Sequence, residues 1–91
     1  MLKILERAIK TYGADKQLTV AIEEFSELTK EICKHKRGMG SFNAILEEIA
    51  DCYIMLNQLE MIFTIPRRRV EKEIENKVKR LERRLDVHLD V

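Results

Sequence analysis

Residues 18–32 read LTVAIEEFSELTKEI and residues 44–59 read AILEEIADCYIMLNQL, and the predicted architecture rests on these two stretches. Apolar residues recur in both at intervals of three and four, which is the spacing of an amphipathic α-helix. Each stretch also carries two carboxylates three residues apart, Glu24 with Glu27 and Glu48 with Asp51. Residues at that spacing lie on one face of a helix, one turn apart. We therefore predict two consecutive helices that each present a pair of acids.

The paired acids predict a bound divalent cation, because like charges one turn apart repel each other unless a positive charge offsets them. Hard oxygen ligands from two facing helices suit Mg²⁺, which keeps several water molecules and leaves room for a phosphate substrate. Glu48 strengthens this prediction, since it projects inside the apolar arc of its helix, between Ala44, Ile45, Cys52 and Met55. Desolvation raises the pKa of a carboxyl there unless a cation or strong donors lie beside it.

The placement of residues at 100° intervals predicts which side of each acidic helix is buried. On the first helix the apolar face comprises Leu18, Ile22, Phe25, Leu28, Thr29 and Ile32. On the second helix it comprises Ile45, Ile49, Cys52, Leu56, Leu59 and Phe63. Further apolar residues widen the arc of the second helix, so we expect that helix to be buried from more than one side.

Four helices and no strand are predicted along the chain, which is therefore of the all-α class. The first spans residues 2–11 and ends at a Tyr-Gly pair, since glycine is a natural stop. The second runs from about 16 to 35 with Asp15 as its N-cap, and the third from about 41 to 63. Pro66 suits the first turn of a last helix. The narrow apolar stripe of that helix comprises Val70, Ile74, Val78, Leu81 and Leu85.

One domain covering residues 1–91 is expected, because a chain of this length supports a single modest core. Small helical chains often gain stability by pairing with copies of themselves, so we expect a homo-oligomer. The formal net charge of +1, from 17 basic and 16 acidic residues, argues against binding to nucleic acid or to an anionic membrane. No signal peptide or spanning segment is evident, and the expected location is the cytoplasm.

Two cysteines and one amide each admit more than one interpretation. Cys33 and Cys52 lie at apolar helical positions without CxxC spacing, so both are expected to be reduced core residues. A zinc site from Cys33, His35 and Cys52 is the alternative, although the spacing fits no standard ligand pattern. Asn57, nearly two turns beyond the second acidic pair, is either a satisfied core amide or a contact to a ligand.

A set of motifs in fixed order gives the chain a family resemblance. The motifs are Tyr12-Gly13, Gln17, Glu23-Glu24-x-x-Glu27-Leu28, a glycine-containing connector, Glu48-x-x-Asp51 and a basic final helix. This order resembles the MazG-like all-α nucleoside triphosphate pyrophosphohydrolases, and the similarity covers roughly residues 10–85. The resemblance implies a four-helix MazG-like bundle, assembled as a dimer or a dimer of dimers.

The resemblance also implies a reaction and the residues that perform it. Members of this family split a nucleoside triphosphate between its α- and β-phosphates, with Mg²⁺ as cofactor and Mn²⁺ as its possible substitute. The implied metal ligands are Glu24, Glu27, Glu48 and Asp51. Glu27 and Glu48 are the implied catalytic residues, with Glu27 as the expected general base. The implied substrate-binding residues are Gln17, Asn76, Lys77 and Arg80.

Three rival functions are weighed against this one. The first is a non-catalytic helical oligomerisation module whose acids pair with the basic last helix. The second is a relative of the phosphoribosyl-ATP pyrophosphatases, which share the doubled acidic motif. Those enzymes usually place a Tyr-His pair soon after the second motif, and Cys52-Tyr53-Ile54-Met55 contains no histidine. The third is a nucleic-acid-binding bundle using Arg67-Arg68-Arg69, which the near-zero net charge and few aromatic residues disfavour.

Overall fold

The computed structural model describes residues 1–89, with the side chains of residues 1–87, as four helices without a strand. These are α1 (Leu2–Tyr12), α2 (Ala14–Lys36), α3 (Phe42–Ile62) and α4 (Arg67–Leu89). The predicted all-α class is confirmed, and the predicted helix ends lie within two residues of those observed. None of the helices in this part of the chain is long and apolar enough to cross a membrane.

Local chemistry explains where the first three helices begin and end. Gly13 is the only residue between α1 and α2 and has a φ of 93°, a conformation that favours glycine because it lacks a Cβ. The prediction that Asp15 caps α2 was wrong: Gly13 occupies the N-cap, and Asp15 lies in the first turn of the helix. Ser41 caps α3, because its Oγ accepts a hydrogen bond from the Ala44 N–H at 3.1 Å.

The core lies where α1 crosses the pair formed by α2 and α3. Its buried apolar side chains are Leu5, Ala21, Cys52 and Met55, and Gln17 and Gln58 are buried among them. Gln58 donates from Nε2 to the backbone carbonyl of Leu5 at 3.3 Å, which links α3 to α1. The small side chain at Ala21 permits a close approach of α2 to its neighbours.

The structure differs from the predicted buried faces of α2 and α3. On α2, Ile22 is 67% exposed, whereas Gln17 and Ala21 are buried. On α3, Leu56 is 49% exposed, whereas Cys52, Met55 and Gln58 are buried. Within one chain, therefore, the predicted apolar faces of α2 and α3 are only partly buried, and α3 is not buried from more than one side. Cys33, which was expected in the core, is exposed.

Helix α4 projects away from the other three. Every residue from 71 to 87 is exposed. The radius of gyration is 16.8 Å, whereas a compact domain of this length has a value of about 12 Å. The four-helix bundle implied by the resemblance is therefore not closed within one chain, in which three helices pack together and the fourth extends outward.

Candidate metal centre

Three acidic side chains converge between α2 and α3. Glu24 comes from α2, and Glu48 and Asp51 come from α3, one turn apart on the same face. One carboxylate oxygen from each side chain lies within 4.8 Å of the others. All three residues are partly buried. Hard oxygen donors at this separation could hold a divalent cation such as Mg²⁺.

A contact through Cys52 joins the two helices at the level of these acids. Its thiol donates to the backbone carbonyl of Glu24, with 3.6 Å between sulfur and oxygen. Burial is the main cause that raises the pKa of this thiol, and the charges of Glu48 and Glu24 raise it further. Cys52 is therefore a neutral packing residue that fixes the position of Glu24 relative to Asp51, its own neighbour in the sequence.

The electrostatic environment of Glu24 disfavours its charged form. Burial is the largest cause that raises the pKa of Glu24, followed by a side-chain hydrogen bond with Asp51. Repulsion from Asp51, Glu48 and Glu27 raises the pKa further. The charged form of Glu24 is therefore disfavoured when no cation is bound.

Glu48 is the least satisfied member of the group. Burial is again the largest cause that raises its pKa, followed by the charge of Asp51 and then by those of Glu27, Glu31 and Glu47. Its Oε2 atom is buried and has no hydrogen-bond partner. A buried carboxylate oxygen without a donor is costly, and a bound cation would remove that cost.

The positive charges of the chain do not offset this group. Among the residues with described side chains, no lysine or arginine forms an ion pair with Glu24, Glu48 or Asp51. Glu31, whose charge raises the pKa of Glu48, has a basic partner of its own in Lys34 at 3.2 Å. The three carboxylates therefore form a local excess of negative charge.

Of the four predicted metal ligands, three lie in this group. The fourth, Glu27, is exposed and lies outside it, although its charge raises the pKa of both Glu24 and Glu48. Gln17 was predicted to bind substrate, and it lies buried on α2, one turn before Ala21 on the side that faces the core. The sequence therefore predicted three members of the group that the structure assembles.

The other predicted substrate-binding residues do not lie against the three clustered carboxylates of the same chain. Asn76, Lys77 and Arg80 are exposed on α4, which does not pack lengthwise on α2 or α3. The alternative zinc site is not formed. Across the described residues, the only group of potential metal ligands is the acidic one, while Cys33 is exposed and Cys52 is buried.

A second polar cluster, at the base of α4, was not predicted. Arg67 donates to both carboxylate oxygens of Glu60, at 2.8 and 2.9 Å, and to Oδ1 of Asn57 at 2.9 Å. Asn57 also donates to the backbone carbonyl of Tyr53, so its amide is hydrogen-bonded, but it is half-buried and not a core residue. We call this cluster the Arg67 clasp. The sequence signal is weak, because Glu60 and Arg67 lie on either side of a turn whose geometry is not evident from spacing.

A cleft of about 710 Å³ lies beside the Arg67 clasp, between the N-terminus and the turn before α4. Its lining contains none of the three clustered carboxylates.

Comparisons of this chain with protein-family models, with curated proteins and with solved structures gave no match.

Proposed function

We propose that this chain is a cytoplasmic, Mg²⁺-dependent nucleoside triphosphate pyrophosphohydrolase that produces the nucleoside monophosphate and pyrophosphate. The observation that carries the proposal is the convergence of Glu24, Glu48 and Asp51 within 4.8 Å, together with the buried Oε2 of Glu48, which has no hydrogen-bond partner. The reaction itself is suggested by the ordered motifs that resemble the MazG-like family.

The residues present suit Mg²⁺, with Mn²⁺ as a substitute. Three carboxylates and no free thiolate or imidazole meet at the site, and such a hard oxygen donor set favours these two ions over zinc. Glu24, Glu48 and Asp51 would hold the ion, with Glu27 as the fourth predicted ligand. A bound ion of this kind would supply positive charge to the phosphate oxygens and a site for the attacking water.

The general base is best assigned to Glu27. It is exposed beside the group of three, so its carboxylate is accessible to water, whereas the pKa values of Glu24 and Glu48 are raised by burial. In the proposed reaction Glu27 accepts a proton from the water whose oxygen bonds to the α-phosphorus. The bond from that phosphorus to the bridging oxygen breaks, and pyrophosphate leaves.

The part of the site that binds substrate is proposed to include residues of α4. Its assembly is proposed to require a homo-oligomer, either a dimer or a dimer of dimers. Asn76, Lys77 and Arg80 offer one amide and two cationic groups of the kind that bind phosphate. They are exposed on a helix that projects from its own chain. Gln17, which is buried on α2, is the fourth residue proposed to bind substrate.

The proposal is tested by measuring pyrophosphate release from a panel of standard and modified nucleoside triphosphates, with Mg²⁺, with Mn²⁺ and with a chelator. We expect release from at least one triphosphate in the presence of metal and none with the chelator. Glu48→Gln should abolish release because it removes a negative ligand. Glu47→Gln is the matched control, since it makes the same change at an exposed neighbouring residue outside the group of three.

Circular dichroism should show the same helical content for both variants. Wild-type turnover in Glu48→Gln, or the absence of release from every triphosphate with either metal, would contradict the proposal.

A non-catalytic oligomerisation module is the second candidate, and one observation favours it. Large apolar side chains are exposed along both α3 and α4, as in chains that associate through helices. Such a module needs neither the metal nor a nucleotide. Its stability should therefore be unchanged by Mg²⁺ and nucleotide together, whereas the hydrolase should be stabilised by them.

A further inference from the structure

Lys34, near the end of α2, differs from the other basic residues in its burial. Of the lysines and arginines whose side chains the structure describes, it is the only half-buried one, and all the others are exposed. Its Nζ donates to Oε1 of Glu31, one turn earlier on the helix, at 3.2 Å. The Glu31 side chain is only 12% exposed. Lysine rarely gives up water unless it has a partner, so the fold holds this ammonium in place.

The connector between α2 and α3 packs against this ion pair. Gly40 has a φ of 84°, and a Cβ atom there would lie 3.6 Å from Oε2 of Glu31 and 3.6 Å from Cβ of Lys34. The absence of a side chain at Gly40 therefore leaves room for the pair. The connector also limits the directions in which the stem of Lys34 can turn.

The ion pair neighbours the candidate metal centre. Glu31 follows Glu24 by seven residues, which is two turns along the same face of α2. Lys34 follows Glu27 by the same interval. Helical side chains lean toward the N-terminus of their helix, which for Lys34 is the direction of the centre. The charge of Glu31 also acts on Glu48, whose pKa it raises. Lys34 is therefore a cation held by an acid that adjoins the centre.

This position suits a contact with phosphate. A nucleotide would bring further negative charge to a centre that already has three carboxylates and no ion-paired cation among the described side chains. Lysine binds phosphate as a point charge, and its four-carbon stem is flexible enough to exchange one acidic partner for another. Lys34 also belongs to the same chain as the centre, whereas the proposed phosphate-binding residues of α4 do not lie against it.

We propose that Lys34 binds the β- and γ-phosphates of the substrate, and that Glu31 holds its ammonium in position in the substrate-free protein. On binding, the ammonium moves from the carboxylate of Glu31 to a phosphate oxygen. When the bond from the α-phosphorus to the bridging oxygen breaks, its electron pair stays on the departing pyrophosphate, and Lys34 offsets that charge. The inference rests on the proposed hydrolase for the identity of the ligand.

Calorimetric titration of the full chain with inorganic pyrophosphate, in the presence of Mg²⁺, tests this role without turnover. Lys34→Gln should raise the dissociation constant of pyrophosphate about tenfold or more, because it removes a charge-assisted hydrogen bond. Lys34→Arg keeps the charge and should retain most of the affinity. Lys30→Gln is the matched control, since it removes the same charge from an exposed lysine one turn earlier on α2 and should leave the constant unchanged.

Glu31→Gln separates phosphate binding from a purely structural role of the ion pair. This variant and Lys34→Gln break the same ion pair, but only Lys34→Gln removes the cation. Glu31→Gln should therefore bind pyrophosphate as tightly as the wild type or more tightly, because Lys34 is released and a repelling charge is lost. Equal weakening in both variants would mean that the pair only stabilises the fold, and the inference would be wrong.

Two further controls complete the test. Circular dichroism should show native helical content in every variant, and Mg²⁺ alone should raise the melting temperature of Lys34→Gln as much as that of the wild type. The inference is overturned if the wild type does not bind pyrophosphate, or if Lys34→Gln binds it as tightly as Lys30→Gln does. Binding that depends on Lys34, in a protein that hydrolyses no triphosphate, would support this role and contradict the hydrolase.

Discussion

The substitution Glu48→Gln should have opposite consequences with and without a bound metal ion. Without metal, it removes one of three mutually repelling charges and gives the buried Oε2 position an amide in place of an oxygen that has no donor. Since burial and neighbouring charges raise the pKa of Glu48, its charged form is disfavoured in the fold. The metal-free variant should therefore melt at the same temperature as the wild type or higher at neutral pH.

With metal, the melting temperature of the wild type should rise far more than that of the variant. At a Mg²⁺ concentration 100 times its dissociation constant, binding stabilises the wild type by about 2.7 kcal/mol. In a domain of this size, that raises the melting temperature by about 11–22 °C. Loss of a direct ligand should weaken binding by about 100-fold. The same Mg²⁺ concentration would then raise the melting temperature of the variant by about 2–3 °C.

Differential scanning calorimetry with chelator and over a Mg²⁺ titration measures both effects. Glu47→Gln serves as the control, because it makes the same change of charge at an exposed position on the same helix. It should keep the full metal-dependent shift. The reasoning fails if Mg²⁺ leaves the wild-type melting temperature unchanged, or if Glu48→Gln shows the same shift as Glu47→Gln.

Three further results are expected. The pKa values of Glu24 and Glu48 are raised from 4.5, so the folded state binds their protons more tightly than the unfolded state does. The melting temperature of the metal-free protein should therefore rise as the pH falls from 7 toward 4.5. A melting temperature that falls over that pH range would contradict this expectation. In Gln58→Met, losing a hydrogen bond costs about 1 kcal/mol, but removing the buried, unpaired Oε1 gains about 1–3 kcal/mol. Chemical denaturation should therefore show equal or greater stability, and a clear loss would mean that Oε1 has a partner. Exposed Cys33 should react quickly with a thiol reagent and buried Cys52 slowly; equal rates would show that the core opens readily.

The helix ends were predictable because they depend on local chemistry. Gly13 and Pro66 interrupt a helix whatever surrounds them, and Ser41 caps α3 with its own side chain. Asp15 shows the limit of such reasoning, since a good capping residue two positions into a helix is displaced by the glycine that precedes it.

The buried faces were less predictable, and the reason is physical. Periodicity locates apolar rows, but it does not distinguish a row that packs within the chain from one that is left exposed. Ile22 and Leu56 belong to predicted apolar faces and are exposed, while Gln17 and Gln58 are buried. A buried amide that bonds to the backbone carbonyl of another helix, as Gln58 does, follows from three-dimensional packing alone.

The candidate site was predictable to the extent that it depends on helical spacing. Glu48 and Asp51 meet because they are one turn apart, and Glu24 joins them because α2 and α3 pack together. The exposed position of Glu27 depends on how α2 is rotated about its axis, which the paired spacing of the acids did not reveal. Metal binding and hydrolysis stay predictions until the assays above are made.

The Arg67 clasp holds α4 near its N-terminus, so a small rotation of the helix there displaces its C-terminal end by a larger distance. Its 23 residues make a rod about 35 Å long. Turning a rod of that length by about 10° at its pivot moves the far tip by about 6 Å, roughly one helical pitch. Three hydrogen bonds of Arg67 therefore determine the position of the C-terminal end of α4. A substitution at Glu60 or Asn57 would redirect that end without altering a single residue near it.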